Sequence, residues 1–146
     1  MKRIAVFILI LSFIVSLTGC RQAELEKKEK IFSLVEENYD AIVTACENGD
    51  IEALYSIDGT EFVNVNVYDG YIIVLCAGFG IAPSSQDYGF YYSPEGLPAA
   101  IDCCEEIIRY SEDLSPEGNG FECTVDYNTF YTERIKGNIY FYKNAY

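Results

Sequence analysis

The chain has 146 residues, with 23 Asp and Glu against 10 Lys and Arg, a formal net charge of −13, and neither histidine nor tryptophan. The missing histidine excludes a Ser-His-Asp or Cys-His arrangement and histidine-ligated zinc built within this chain. The acidic balance leaves no basic patch of the kind that meets phosphates, so no nucleic-acid partner is expected.

Lys2 and Arg3 open the chain, Ile4 to Val15 is almost wholly apolar, and Leu17-Thr18-Gly19-Cys20 follows. A basic start, a short apolar run and small residues mark a secretory signal that is removed on export. A permanent span needs about 20 apolar residues, and this run is shorter. The Leu-Thr-Gly-Cys ending resembles the lipobox of bacterial lipoproteins. The resemblance implies cleavage before Cys20 and lipidation of Cys20, with palmitate-type chains holding the protein at the outer face of the cell membrane. A diacylglycerol group brings two chains, which suffices for a stable anchor. The plainer alternative is an ordinary signal peptide whose cut lies near a cysteine. Residues 1–19 are then the signal peptide, 20–30 the lipidated cysteine and a short polar tether, and 31–146 a single domain. Losing Lys2 and Arg3 takes the formal charge from −13 to −15. That acidity is read as solubility and repulsion from anionic surfaces, ahead of a cationic partner or bound calcium.

Ile31, Leu34, Val35, Tyr39, Ile42, Val43 and Cys46 recur at three- and four-residue spacing. The spacing predicts an amphipathic helix ending at Asn48-Gly49-Asp50, with one more helical turn over 51–57. The period then changes to two. Val63, Val65 and Val67, then Asp69-Gly70, then 71–77 predict a hairpin. A two-residue turn sets Val67 opposite Ile72, Val65 opposite Val74 and Val63 opposite Cys76, which puts Cys76 on the inner face. Residues 78–87 read as a loop and 88–93 as a third strand. Residues 97–110 read as a fourth strand or a short helix. After a turn over 115–120, strands are predicted at 121–125, 129–136 and 139–142, with Gly137-Asn138 as a tight connection. The fold class is α+β: one N-terminal amphipathic helix packed on an antiparallel, hairpin-rich β-sheet.

The segment from Gly78 to Ser93, with its Gly-Phe-Gly-Ile-Ala-Pro-Ser-Ser-Gln-Asp-Tyr-Gly-Phe-Tyr-Tyr-Ser order, resembles small uncharacterised lipoproteins and secreted proteins of Firmicutes, clostridia above all. The hairpin before it and Tyr140-Phe141-Tyr142 look similar too. The resemblance implies origin and localisation, and it assigns no catalytic role to any residue.

Little in the chain points to catalysis. Ser84 and Ser85 lack an evident base and read as turn residues. Glu105-Glu106 and Glu112-Asp113 are neighbours in sequence, which does not make them face one cleft. Asp126 and Asn128 fall short of a calcium loop. Apart from Cys20 there are Cys46, Cys76, Cys103, Cys104 and Cys123, an odd number, so at least one is free or pairs between molecules. Disulfides among them fit an exported protein. The adjacent Cys103-Cys104 pair is no CxxC redox motif and lacks zinc-ligand spacing. No metal and no cofactor is expected.

Aromatic residues carry the functional expectation. Half of those in each alternating strand should fill the core, and the other half should face solvent, where tyrosine favours contact surfaces. Ser84, Ser85, Gln86, Asp87, Tyr88, Tyr91 and Tyr92 are therefore the candidate binding surface, and the plainer reading of the same tyrosines is sheet packing. The expected activity is non-enzymatic binding of an envelope protein, a peptide or a glycan. The alternatives are a histidine-independent hydrolase using paired carboxylates and a structural or inhibitory envelope lipoprotein.

Overall fold

The computed structural model describes residues 22–57, 62–79, 85–102, 107–109, 114–125 and 128–146. Cys20, Ser84, Cys103, Cys104, Glu105, Glu106, Glu112, Asp113, Asp126 and the signal segment lie outside them.

The chain opens with helix α1 over residues 22–37, then α2 (Tyr39–Asn48) and α3 (Ile51–Tyr55). The predicted stripe is the buried one: Ile31, Val35, Ile42 and Cys46 are interior, with Leu34, Tyr39 and Val43 packed beside them. The single helix expected over this stripe is instead two, divided at Asn38. Its backbone leaves helical geometry (φ −113°, ψ 18°), and its side-chain amide donates to the Leu34 carbonyl at 2.9 Å. An asparagine that bonds its own backbone in this way competes with the helical ladder. Gly49 ends α2 in the left-handed region at φ 65°. Asp50 then caps α3 by accepting the Ala53 N–H at 3.0 Å. Residues 22–30, expected as a tether, are helical. Lys143 reaches Glu24 at 2.6 Å, and Lys28 pairs with Glu133. Those sheet contacts hold in place a turn that polarity alone would have left as linker.

The strands are β1 (Asn64–Tyr68), β2 (Tyr71–Phe79), β3 (Gln86–Tyr92), β4 (Ala100–Asp102), β5 (Ile107–Arg109), β6 (Ser115–Glu117), β7 (Gly120–Val125), β8 (Asn128–Lys136) and β9 (Ile139–Ala145). Seven form one antiparallel sheet in the order β1-β2-β3-β9-β8-β7-β6, and β4 pairs with β5 in a separate two-stranded sheet. The first hairpin has the predicted register, with Val67 opposite Ile72 and Val65 opposite Val74. Asp69 (φ 47°) and Gly70 (φ 82°) both take positive φ, as the type I′ turn demands. The closing strands stand close to their expected ranges. The loop predicted over 78–87 is shorter: Gly78 pairs with Asp87 and Phe79 with Gln86, so both strands run on into it. The 97–110 region contains the paired strands β4 and β5.

Both faces of the large sheet are covered. On one, Ile72, Val74, Tyr88, Phe90, Tyr92, Ile139 and Phe141 pack with Ile31, Val35 and Ile42 of the helices. On the other, Tyr71, Ile73, Tyr91, Tyr140 and Tyr142 pack with Ala99, Ala100, Ile101 and Leu114. Strand alternation therefore sends apolar side chains into two cores.

Candidate functional site

The structure overturns the predicted tyrosine surface. Tyr88 is 1% exposed, Tyr91 0% and Tyr92 9%. They lie on β3, a central strand between β2 and β9 in a sheet covered on both sides. The expectation that half the aromatics face solvent assumed one open face. Gln86 accepts the Tyr88 hydroxyl at 2.5 Å, and Lys27 sits 4.6 Å from the centre of the Tyr88 ring. Burial raises the Asp87 carboxyl above the usual carboxylate range. The Ser85 carbonyl accepts the Tyr146 N–H at 3.0 Å.

The tyrosine hydroxyls of the second face tie down the segment that covers them. Tyr91 accepts the Ala99 N–H at 2.9 Å and bonds Thr132 at 3.0 Å. Tyr140 donates to the Gly96 carbonyl at 2.7 Å, where Arg134 also donates. The two rings stack with centroids 5.3 Å apart. Burial raises the Tyr91 phenol well above its ordinary value.

Of the five cysteines beyond Cys20, Cys103 and Cys104 lie outside the described residues. Cys46, Cys76 and Cys123 are free thiols. Cys46 and Cys76 belong to the helix-covered core, whereas Cys123 belongs to the other, so the sheet separates it from both. Burial pushes Cys46 and Cys76 up to about 12, which keeps them protonated and unreactive at neutral pH. Cys76 is a partly buried core neighbour, as the hairpin register predicted.

A different place converges polar and aromatic groups. Between α1 and the β6–β9 half of the sheet is a cleft of about 420 Å³, in the size range of small-ligand sites. Glu24, Leu25 and Lys28 form its helical wall. Tyr131 and Lys143, opposite each other on β8 and β9, form its floor with Phe141. Glu122, opposite Tyr131 on β7, and Glu117 close the far side. Gly120 faces the same side of the sheet, and a Cβ there would meet the Tyr131 hydroxyl oxygen at 2.9 Å. A glycine there leaves room for the phenol.

Glu133 anchors this arrangement from a position 9% exposed. It accepts the Tyr131 hydroxyl at 2.7 Å and pairs with the Lys28 ammonium. That ammonium also lies 5.3 Å from the Phe32 ring centre, 5.7 Å from Tyr131 and 5.8 Å from Phe141. A cation over ring faces and against a carboxylate is held by both. Burial, and then the Glu133 carboxylate, raise the Tyr131 phenol well above its ordinary range, so it stays a hydrogen-bond donor. The cleft thus presents fixed charges of both signs beside an aromatic floor and the half-exposed Leu25.

The strand predicted over 129–136 contains Tyr131, but its partners were not legible in the sequence. The available signal was Glu24 and Lys28 at i and i+4 in a segment read as tether, and Tyr131 and Glu133 at i and i+2 on one strand face.

Among the described residues, no group of three or more His, Cys, Asp or Glu could hold a metal ion. No helix among them is long and apolar enough to cross a membrane. The chain matches no family model, no curated protein and no solved structure.

Proposed function

We propose that this protein is a lipid-anchored extracytoplasmic lipoprotein of the bacterial cell membrane, whose domain binds a protein or peptide partner in the cleft around Lys28 and Tyr131. The observation that carries the reading is the N-terminal order: two basic residues, a short apolar run and Leu17-Thr18-Gly19-Cys20. The domain is read as an N-terminal amphipathic helical segment laid on the antiparallel sheet, starting directly after the lipid attachment point. On that reading the cleft lies near the anchor in sequence, because Glu24, Leu25 and Lys28 follow Cys20 within eight residues.

The cleft suits recognition for physical reasons. Its two lysines are held by carboxylates, so little side-chain freedom remains to be lost on binding. Tyr131 offers an amphipathic ring, and Leu25 an apolar wall. A partner with a cationic group fits Glu117 and Glu122, and its apolar stem fits Leu25 and Phe141.

The anchor is tested by growth with an alkyne-tagged fatty acid followed by membrane fractionation. The wild type should carry the tag and sediment with membranes, and Cys20→Ser should lose both. A Cys20→Ser chain that keeps the tag contradicts the reading. The cleft is tested with a photo-crosslinking residue at Leu25 in native membranes. Adducts that vanish in Lys28→Ala, while an equivalent probe at Leu97 gives none, support recognition there. Glycan hydrolysis lost in Glu117→Gln or Glu122→Gln would replace binding with the hydrolase reading.

A further inference from the structure

The two edges of the large sheet are built differently. β6 is three residues long and reads Ser115-Pro116-Glu117, with a proline and a charge. These are common guards against edge-to-edge pairing. β1, at the opposite edge, is five residues long and reads Asn64-Val65-Asn66-Val67-Tyr68. It carries no charge and no proline. Val67 is 53% exposed, Tyr68 38%, and Val63 just before it 63%.

The hydrogen-bond phase of β1 follows from its hairpin. A two-residue I′ turn closes on Tyr68 and Tyr71, which exchange backbone bonds. Alternation along an antiparallel pair then directs Asn66 and Asn64 toward β2. The Val63 N–H joins them at the Leu75 carbonyl, 2.7 Å away. Val74, opposite Val65, instead turns its carbonyl toward Gly89 on β3. The N–H and C=O groups of Val65 and Val67 therefore point out of the sheet edge.

Val65 and Val67 lie symmetrically about Asn66, and that makes the edge self-complementary. We infer that β1 is a homodimerisation edge, pairing antiparallel with β1 of a second copy about a two-fold axis at Asn66. Val65 then exchanges both backbone bonds with Val67 of the second copy, and Val67 with its Val65. The exposed Val67 side chain packs on the second copy's Val65, on the helix-covered side. The two Asn66 side chains meet directly across the axis, and each Tyr68 lies opposite an Asn64. An isologous contact of this kind closes on itself and needs no other partner. Charge does not oppose a second copy at this position. In a chain of net charge −13, this strand brings two copies together without placing like charges opposite each other. The acidic bodies still repel at a distance, so salt should strengthen the association by screening.

The test is sedimentation equilibrium of the full chain in a density-matched neutral detergent, from about 10 µM to about 1 mM, the range in which small interfaces dissociate. The expected result is a reversible monomer–dimer equilibrium that shifts toward dimer with added salt. Asn66→Lys and Asn66→Glu each set like charges across the axis and should be monomeric throughout, with unchanged circular dichroism. An equimolar mixture of the two should associate again, as a heterodimer. Because the mixture restores pairing, a folding defect cannot imitate this pattern. A wild type that stays monomeric at the highest concentration overturns the proposal. So does a dimer that survives either single substitution, or a mixture that fails to associate.

Discussion

Tyr91 and Tyr131 lie on opposite faces of one sheet and do different things there. Tyr91 is sealed, stacked on Tyr140, and its hydroxyl holds the Ala99 N–H and Thr132. Tyr131 borders an open cleft, and its hydroxyl is fixed by Glu133, which Lys28 also engages. Residue type does not separate them, since both are strand tyrosines with raised phenol values. What covers each face separates them. The segment that includes Ala99–Ile101 closes over Tyr91, whereas α1 and the β6–β7 end leave a cleft between them with Tyr131 on its floor.

The largest effect that this contrast predicts is on stability. Tyr91→Ala should cost about 3–5 kcal/mol, the range for deleting a buried aromatic ring. The urea midpoint should fall at unchanged slope. Tyr131→Ala should cost clearly less, about 1–2 kcal/mol, because its ring is only partly enclosed. Equal losses would break the comparison.

Tyr91→Phe sharpens it. The ring stays, but the Ala99 N–H and the Thr132 hydroxyl lose a buried partner, at about 1–3 kcal/mol. Amide exchange should accelerate at Ala99 more than in β9. Glu133→Gln should come next, at about 1–2 kcal/mol. It weakens a charge-assisted bond from Lys28 and leaves the phenol a neutral acceptor. Its signature is a lowered Tyr131 phenol in an alkaline absorbance titration, with Tyr91 unmoved.

A separate effect comes from pH. Cys46 ionises near 9 when unfolded and near 12 when folded. Below pH 9 both states hold the proton, and this thiol's contribution does not change with pH. Between 9 and 12 the unfolded chain releases it while the folded chain does not, so stability falls as pH rises. Cys76 acts in the same direction. Cys46→Ala should make that slope shallower in thermal melts between pH 8 and 11, with Cys76 supplying the remainder, and an unchanged slope would contradict the assignment.

The local pattern of the fold was legible wherever one periodicity ruled. The stripe from Ile31 to Cys46 announced its buried face, and Val65 with Val67 around Asp69-Gly70 announced register and turn. Strand order was not legible, because the pairing of β3 with β9 joins residues some fifty positions apart, such as Phe90 and Phe141. That pairing makes β3 central, and burial on both sides then removes Tyr88, Tyr91 and Tyr92 from the surface. The cleft was hidden for the same reason. Lys28 and Glu133 become partners only when α1 lies across β8, which no local spacing encodes.

The most direct test is hydroxyl-radical footprinting of the native chain, read residue by residue by mass spectrometry. The structure predicts fast labelling at Tyr55 and Tyr68, intermediate labelling at Tyr131, and protection at Tyr88, Tyr91, Tyr140 and Tyr142 until the chain unfolds. Fast labelling at Tyr88 and Tyr91 with Tyr131 protected would contradict it, returning the contact surface to β3 and removing the cleft as the recognition site.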